Sequence, residues 1–492
     1  MTLVTVSGGT IEGFVEHGNH CFLAVPYAAP ITEERRFLVP QPVEPWSGVR
    51  SAKHLGPVCP QIATYGPVGK GATSSLAYGS DFLTANIRTP SLSGRAPVLV
   101  WVHGGGYAVG SANEPVLQSG AFAASGVVEV TINYRLGALG FLHLDWKPDN
   151  RGLLDLLAAL RWVQDNIERF GGDPERVTFA GRSAGGFAIA AVMAMPGARG
   201  LFSRAMPQSG ASTAIASMED ARKLTQRMCV ALGTDEVGVA AASIDALLIA
   251  QRDLCNESYE QHDYDRDGSA AMLGVPFVPV IDGVTLLEHP ENAAAAGGTM
   301  PVPMMIGCTS AEYLTHSSIL PDDLDYAGAA RLLHQRVRHV GWTGEGIVAA
   351  YRRALPNHSP HGIWRAVAGD LVFQNPTTRF ARLHGQHQPV WKYLYGLERP
   401  DEKGERHGAE VGSVWYREGM DSAEQPERLR ASDHNFACKV HEIWRAFVAH
   451  DTMPHGWQCY SGGDPVLLHI TAERIGLEKD RFAERLELWQ SP

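Results

Sequence analysis

The stretch "RVTFAGRSAGGFAIAAVMAM" (176–195) constrains this chain more than any other. The run at 176–180 predicts a short buried strand, and the apolar, alanine-rich run from 186 predicts a helix. Between them stands G-x-S-x-G, Gly181 to Gly185, so the chain must turn sharply from strand to helix at Ser183. A serine on such a turn holds its hydroxyl clear of the sheet. Side chains in place of the two glycines would collide across the turn. The helix that starts near Ala184 also directs its first N–H groups and its positive dipole end toward the same place. Ser183 is therefore a candidate nucleophile.

The surrounding sequence alternates strand and helix. "PVLVWV" (97–102) and "VVEVTIN" (127–133) are continuous apolar runs of the kind buried on both faces of a sheet. "GLLDLLAALRWVQDNIERF" (152–170) places Leu153, Leu156, Leu157, Leu160, Val163 and Ile167 at helical spacing, and Gly171 reads as its stop. This order predicts an α/β chain with a largely parallel sheet and helices on both faces. The first residues, "MTLVTVSGGTIEGFVEHGNH", alternate like an antiparallel hairpin and not like a secretory leader. The short run "ENAAAAGGT" (291–299) reads as a helix end stopped by glycines. "WVHGGGYAVGS" (101–111) follows the first buried run. Its three glycines let backbone N–H groups approach a ligand, as an oxyanion requires.

Composition removes several functions. A net charge of -11 and a pI near 6.0 argue against nucleic acid or an anionic membrane as partner. No apolar run is long enough to span a bilayer. Seven cysteines, an odd number, lack metal-ligand or disulfide spacing, so reduced thiols in a cytoplasm are expected. The second histidine of "HEIWRAFVAH" (441–450) is too distant for a zinc motif, and that stretch reads as a plain helix face. No cofactor or metal is expected. The oligomeric state, monomer or homodimer, is left open.

Further motifs carry a family resemblance that spans nearly the whole chain. They include "FLAVPYAAP" near the start, "NYRLGALGF" (133–141), "NRGLLDLLAALRWVQDNIERFGGDPERVTFAGRSAGG" (150–186) and "MPQSGAS" (206–212). "FVPVIDG" (277–283), "IGCTSAEY" (306–313), "RHGAEVGSVW" (406–415) and "EIWRAFVAHDTMP" (442–454) follow. Together they resemble the type B carboxylesterase/lipase family of α/β-hydrolases, which includes the cholinesterases, in a bacterial-type form. The resemblance implies one α/β-hydrolase domain over 1–492. Its mostly parallel central sheet would be flanked by helices, with an N-terminal antiparallel hairpin and helical insertions over the active site.

The implied function is a serine hydrolase that cleaves small-molecule carboxylic esters through an acyl-enzyme. Ser183 would be the nucleophile, Glu312 the triad acid and His407 the general base, in the order Ser, acid, His of this fold. Gly105, Gly106 and Ala184 would supply oxyanion N–H groups. Arg182, Ser209, Glu410 and Tyr107 would flank the triad or touch substrate. Amide, carbamate or lactone cleavage on the same triad is the alternative within enzymes. A non-catalytic binding module of the cholinesterase type is the alternative from another class, and the intact serine, acid, base and glycine loop argue against it.

The sequence departs from the family pattern in three places. Phe82 stands where a cysteine would pair with Cys59, and Thr234 stands where another cysteine is usual. The loop at 62–79, untethered and rich in Gly and Ser, is expected to be mobile or a lid, and it has no tryptophan to serve as a choline-binding aromatic. Arg182 replaces the usual glutamate before the serine. One reading pairs Arg182 with Glu410 in a salt bridge, because buried charges are normally paired. The other has Arg182 recognise an anionic substrate.

Overall fold

The computed structural model describes residues 2–62, 77–313, 320–397, 404–417, 434–450, 452–460 and 465–489. It opens with antiparallel strands whose apolar residues alternate. β1 (Thr2–Val6) and β2 (Gly9–Glu16) form the hairpin read from the sequence, and β3 (Asn19–Pro26) adds to it antiparallel. β4 (Val49–Ser51) pairs only with β2. The remaining strands are β5 (Thr84–Thr89), β6 (Ala96–Val102), β7 (Val128–Ile132), β8 (Gly172–Arg182) and β9 (Arg204–Gln208). Beyond them come β10 (Met304–Thr309), β11 (Val390–Tyr395), β12 (Val466–Ile470) and β13 (Ile475–Lys479).

The main sheet runs β1-β2-β3-β5-β7-β6-β8-β9-β10-β11-β12-β13. Neighbours from β7 through β12 pair in parallel, and both ends are antiparallel. This is an α/β-hydrolase fold with a mostly parallel central sheet. β6 shows why its strands read as unbroken apolar runs. Val98, Val100 and Val102 face one core with Leu156 and Leu160 of the helix Arg151–Asn166 and Ala188 and Val192 of the helix Ala184–Met193. Leu99 and Trp101 face the other with Ile443, Trp444 and Phe447 of the helix His434–Val448. A strand covered on both sides has no solvent face on which to place polar residues.

The helix expected over 152–170 is α-helical only to Asn166. It then tightens into a 3₁₀ turn, Ile167–Phe170, and ends at Gly171 with φ 72°. One feature of it escaped the apolar pattern. Asp155 lies on the buried side and holds Arg135 through Nε at 2.8 Å, Nη2 at 2.6 Å and the backbone N–H at 3.0 Å. Arg135 Nη1 donates to the Arg36 carbonyl at 3.2 Å, so this pair, fully removed from solvent, is also fully bonded.

Helical segments are inserted between β9 and β10, notably Met218–Leu232 and Ile244–Gln261, and between β10 and β11, notably Tyr326–Val337 and Pro360–Gly369. None of the seven cysteines forms a disulfide; the buried Cys59 accepts the Leu136 N–H at 3.3 Å. The lid expected at 62–79 falls mainly on 63–76, which lie outside the described residues. No helix among the described residues is long and apolar enough to cross a membrane.

Candidate active site

β8 ends at Arg182, and the chain turns at Ser183 with φ 58° and ψ -123°. A non-glycine residue held there stores roughly 1–3 kcal/mol of strain. The turn is held by Ser183 N–H donating to the Gln208 carbonyl and Phe187 N–H donating to the Ser183 carbonyl, both at 2.9 Å. The flanking glycines are sterically required, although the main obstacle is β6 and not the far side of the turn. A Cβ on Gly181 would stand 2.6 Å from the Val102 carbonyl oxygen, and one on Gly185 only 2.3 Å from it. The helix Ala184–Met193 that follows is buried on every side. As its first residue, Ala184 has an N–H with no intrahelical acceptor.

The glycine loop leaves β6 beside this turn. A Cβ on Gly104 would lie 3.0 Å from Ser183 Cβ, which measures how closely the two loops meet. Gly105 (φ 110°), Gly106 (φ 59°) and Tyr107 (φ 60°) adopt positive φ in succession. That curl suits amides that must converge on an anion. Gln61 pins the far end of the loop: the Gly110 N–H donates to its Oε1 at 2.8 Å, and its Nε2 donates to the Gly110 carbonyl at 3.0 Å. Tyr107 is an anchor. Its ring packs on Phe141 at 4.7 Å, its carbonyl accepts the Gly137 N–H at 2.6 Å, and its hydroxyl is buried without a hydrogen bond.

Glu312 and His407, 95 residues apart in sequence, meet directly: His407 Nδ1 is hydrogen-bonded to Glu312 Oε2. The other carboxylate oxygen accepts Ser209 Oγ–H and the Thr309 N–H, each at 2.7 Å. Three bonds thus fix a carboxylate that is almost wholly buried. The loops carrying the two residues are stitched together as well. The Ala311 N–H donates to the Glu405 carbonyl at 2.9 Å, and the Glu405 N–H donates to Ser310 Oγ at 3.0 Å. His407 keeps 19% of its side chain exposed. With Nδ1 directed at a carboxylate, Nε2 is the nitrogen left to accept a proton.

No hydrogen bond among the described residues joins Ser183 Oγ to His407; such bonds are often long before substrate binds. What brings the serine turn to the histidine loop is Arg182: a Cβ on Gly408 would stand 2.2 Å from its Nη1.

One residue at the site was not read from the sequence. The Phe373 ring lies 4.8 Å from the His407 ring and 6.0 Å from that of Phe187 on the nucleophile helix. It sits in a π-helical turn, Asp370–Gln374, which Gln374 ties to the Thr309 carbonyl at 2.8 Å. Nothing in "LVFQNP" marks that turn.

The expected Arg182–Glu410 salt bridge is not formed. Glu410 is completely buried, and neither carboxylate oxygen has a hydrogen-bond partner. Burial first, and then the charge of Glu312, push its carboxyl up to about 7; its own backbone amide, then Arg182 and His407, pull it back only in part. Without a paired cation, a carboxyl at this depth is costly to ionise.

The chain is similar to known proteins along nearly its whole length. A model described as the carboxylesterase family matches residues 1–489. A para-nitrobenzyl esterase of Bacillus subtilis (strain 168) is 31% identical over 98% of this chain and 97% of its own. A phenmedipham hydrolase of Pseudarthrobacter oxydans is 30% identical over 96% of each chain. A solved carboxylesterase of Geobacillus stearothermophilus superposes with a TM-score of 0.83 at 30% identity over the full length of both chains.

Proposed function

The chain belongs to the carboxylesterase family and is a carboxylic ester hydrolase, and from that premise we propose that it works through an acyl-enzyme formed on Ser183. Ser183 Oγ attacks the ester carbonyl while His407 Nε2 takes its proton. The N–H groups of Gly105, Gly106 and Ala184 receive the oxyanion, each donor lowering the barrier by roughly 3 kcal/mol. His407 then gives the proton to the departing alcohol. A water enters, loses its proton to His407 and attacks the acyl carbonyl; His407 then returns a proton to Ser183 Oγ as the acid leaves. Glu312 fixes the imidazole tautomer and stabilises the imidazolium that forms.

The observation that carries this reading is the Glu312–His407 bond, with the other carboxylate oxygen held by Ser209 and Thr309. A histidine oriented this firmly, with Nε2 as the nitrogen left to take a proton, is an arrangement for proton transfer. The unpaired thiols support a reducing compartment such as the cytoplasm as its place of work. The test is hydrolysis of p-nitrophenyl butyrate by Ser183→Ala. A loss of at least about 10⁴-fold in kcat with an unchanged melting temperature is expected. Retained turnover would remove Ser183 from the mechanism.

A further inference from the structure

The site holds a charge that the ester chemistry does not use. Arg182 is half-buried, and its side chain passes between the two loops that frame Ser183. A Cβ on Gly104 of the glycine loop would lie 3.6 Å from its Nε, and one on Gly408 of the histidine loop 2.2 Å from its Nη1. Among the described residues no carboxylate oxygen lies within 4.0 Å of it, and none of them accepts a hydrogen bond from it. Three buried ionisable groups are among those that feel its charge. Glu410 is buried and pushed up to about 7, and Glu114 is also raised by burial. His103, pushed down to about 4 chiefly by burial, is neutral.

A guanidinium cannot shed its charge by losing a proton. A partly desolvated one is costly until an anion meets it, and its planar fork fits a carboxylate with two parallel hydrogen bonds. The reaction sharpens the need. His407, the residue next to Gly408, must become an imidazolium during the proposed cycle, and an uncompensated cation beside it opposes that step. An anion seated on Arg182 cancels the opposition.

We propose that Arg182 is a specificity-determining residue that selects esters carrying a carboxylate close to the scissile bond. This rests on the ester-cleaving reading given above, and it names the substrate class of that same site.

Two matched pairs of esters test it. p-Nitrophenyl butyrate against p-nitrophenyl hemisuccinate places the carboxylate on the acyl side. Phenyl acetate against 4-acetoxybenzoate places it on the alcohol side. The measured quantity is the anionic-to-neutral ratio of kcat/KM for the wild type, Arg182→Gln and Arg182→Lys. In at least one pair the wild-type ratio should exceed that of Arg182→Gln by about 10- to 100-fold, with Arg182→Lys between them. The difference should appear mainly as a raised KM for the anionic ester. If Arg182→Gln does not fold, Arg182→Lys must still lower the ratio, and added salt must erode it in the wild type. Equal ratios in all three proteins, with brisk turnover of the neutral esters, would overturn the proposal and leave the esterase reading standing. Absence of turnover of every ester by the wild type would instead bring down both.

Discussion

Arg135 and Arg182 lie at the same end of the sheet, and the protein treats them in opposite ways. Arg135 follows β7, is wholly buried, and meets Asp155 through two side-chain bonds and its own N–H. Its remaining donors reach backbone carbonyls. Arg182 ends β8 beside the serine, and Glu410, the partner expected from the sequence, is buried with no hydrogen bond to either oxygen. The first site is what a fold does with a charge that only has to be accommodated. The second is left electrostatically incomplete, which a stability argument alone does not favour. Incompleteness of this kind belongs where a ligand supplies the missing group, or where charges form and vanish during a reaction.

The contrast can be broken at its satisfied end first. Asp155→Ala leaves Arg135 buried without its counter-ion, and such losses cost about 3–5 kcal/mol. A large fall in melting temperature and in the denaturant midpoint is expected. A variant as stable as the wild type would mean that the Arg135 site is no more satisfied than the other.

The incomplete end predicts a smaller effect of the opposite sign. Glu410 has a folded value near 7 against an ordinary 4.5, raised chiefly by burial. A carboxyl raised in this way costs the native state stability as pH climbs from the unfolded value through the folded one. Glu410→Gln should therefore gain on the wild type as pH rises. The gain should be on the order of 2–3 kcal/mol between pH 4.5 and pH 8. Melting curves of both proteins across that range measure it. A variant destabilised at pH 8 would show that the Glu410 carboxylate is supported in the native state after all.

The two regions also differ in how far the sequence revealed them. The serine turn was legible because all its parts are local: a strand, two glycines, a serine and a helix within twenty residues. The steric reason for Gly181 and Gly185 was only partly legible, since the obstruction comes from Val102 on a neighbouring strand. Glu312 and His407 stand 95 residues apart, and periodicity could not have joined them; their motifs did so only through family resemblance. Phe373 carried no signal, because a π-helical turn leaves no mark in spacing. The Arg135–Asp155 pair was hidden in a run that reads as an apolar helix face. For Arg182 and Glu410 the motifs placed the residues near one another, but a salt bridge needs angles and distances that proximity does not supply.

The central claim is that Ser183 is activated as a nucleophile by the His407–Glu312 pair. A fluorophosphonate probe, which reacts only with an activated serine, tests it on the native protein when followed by intact mass and peptide mapping. One probe per chain is expected, attached to Ser183 and absent from Ser183→Ala. A folded protein that takes up no probe, or that carries it on another residue, would contradict the account.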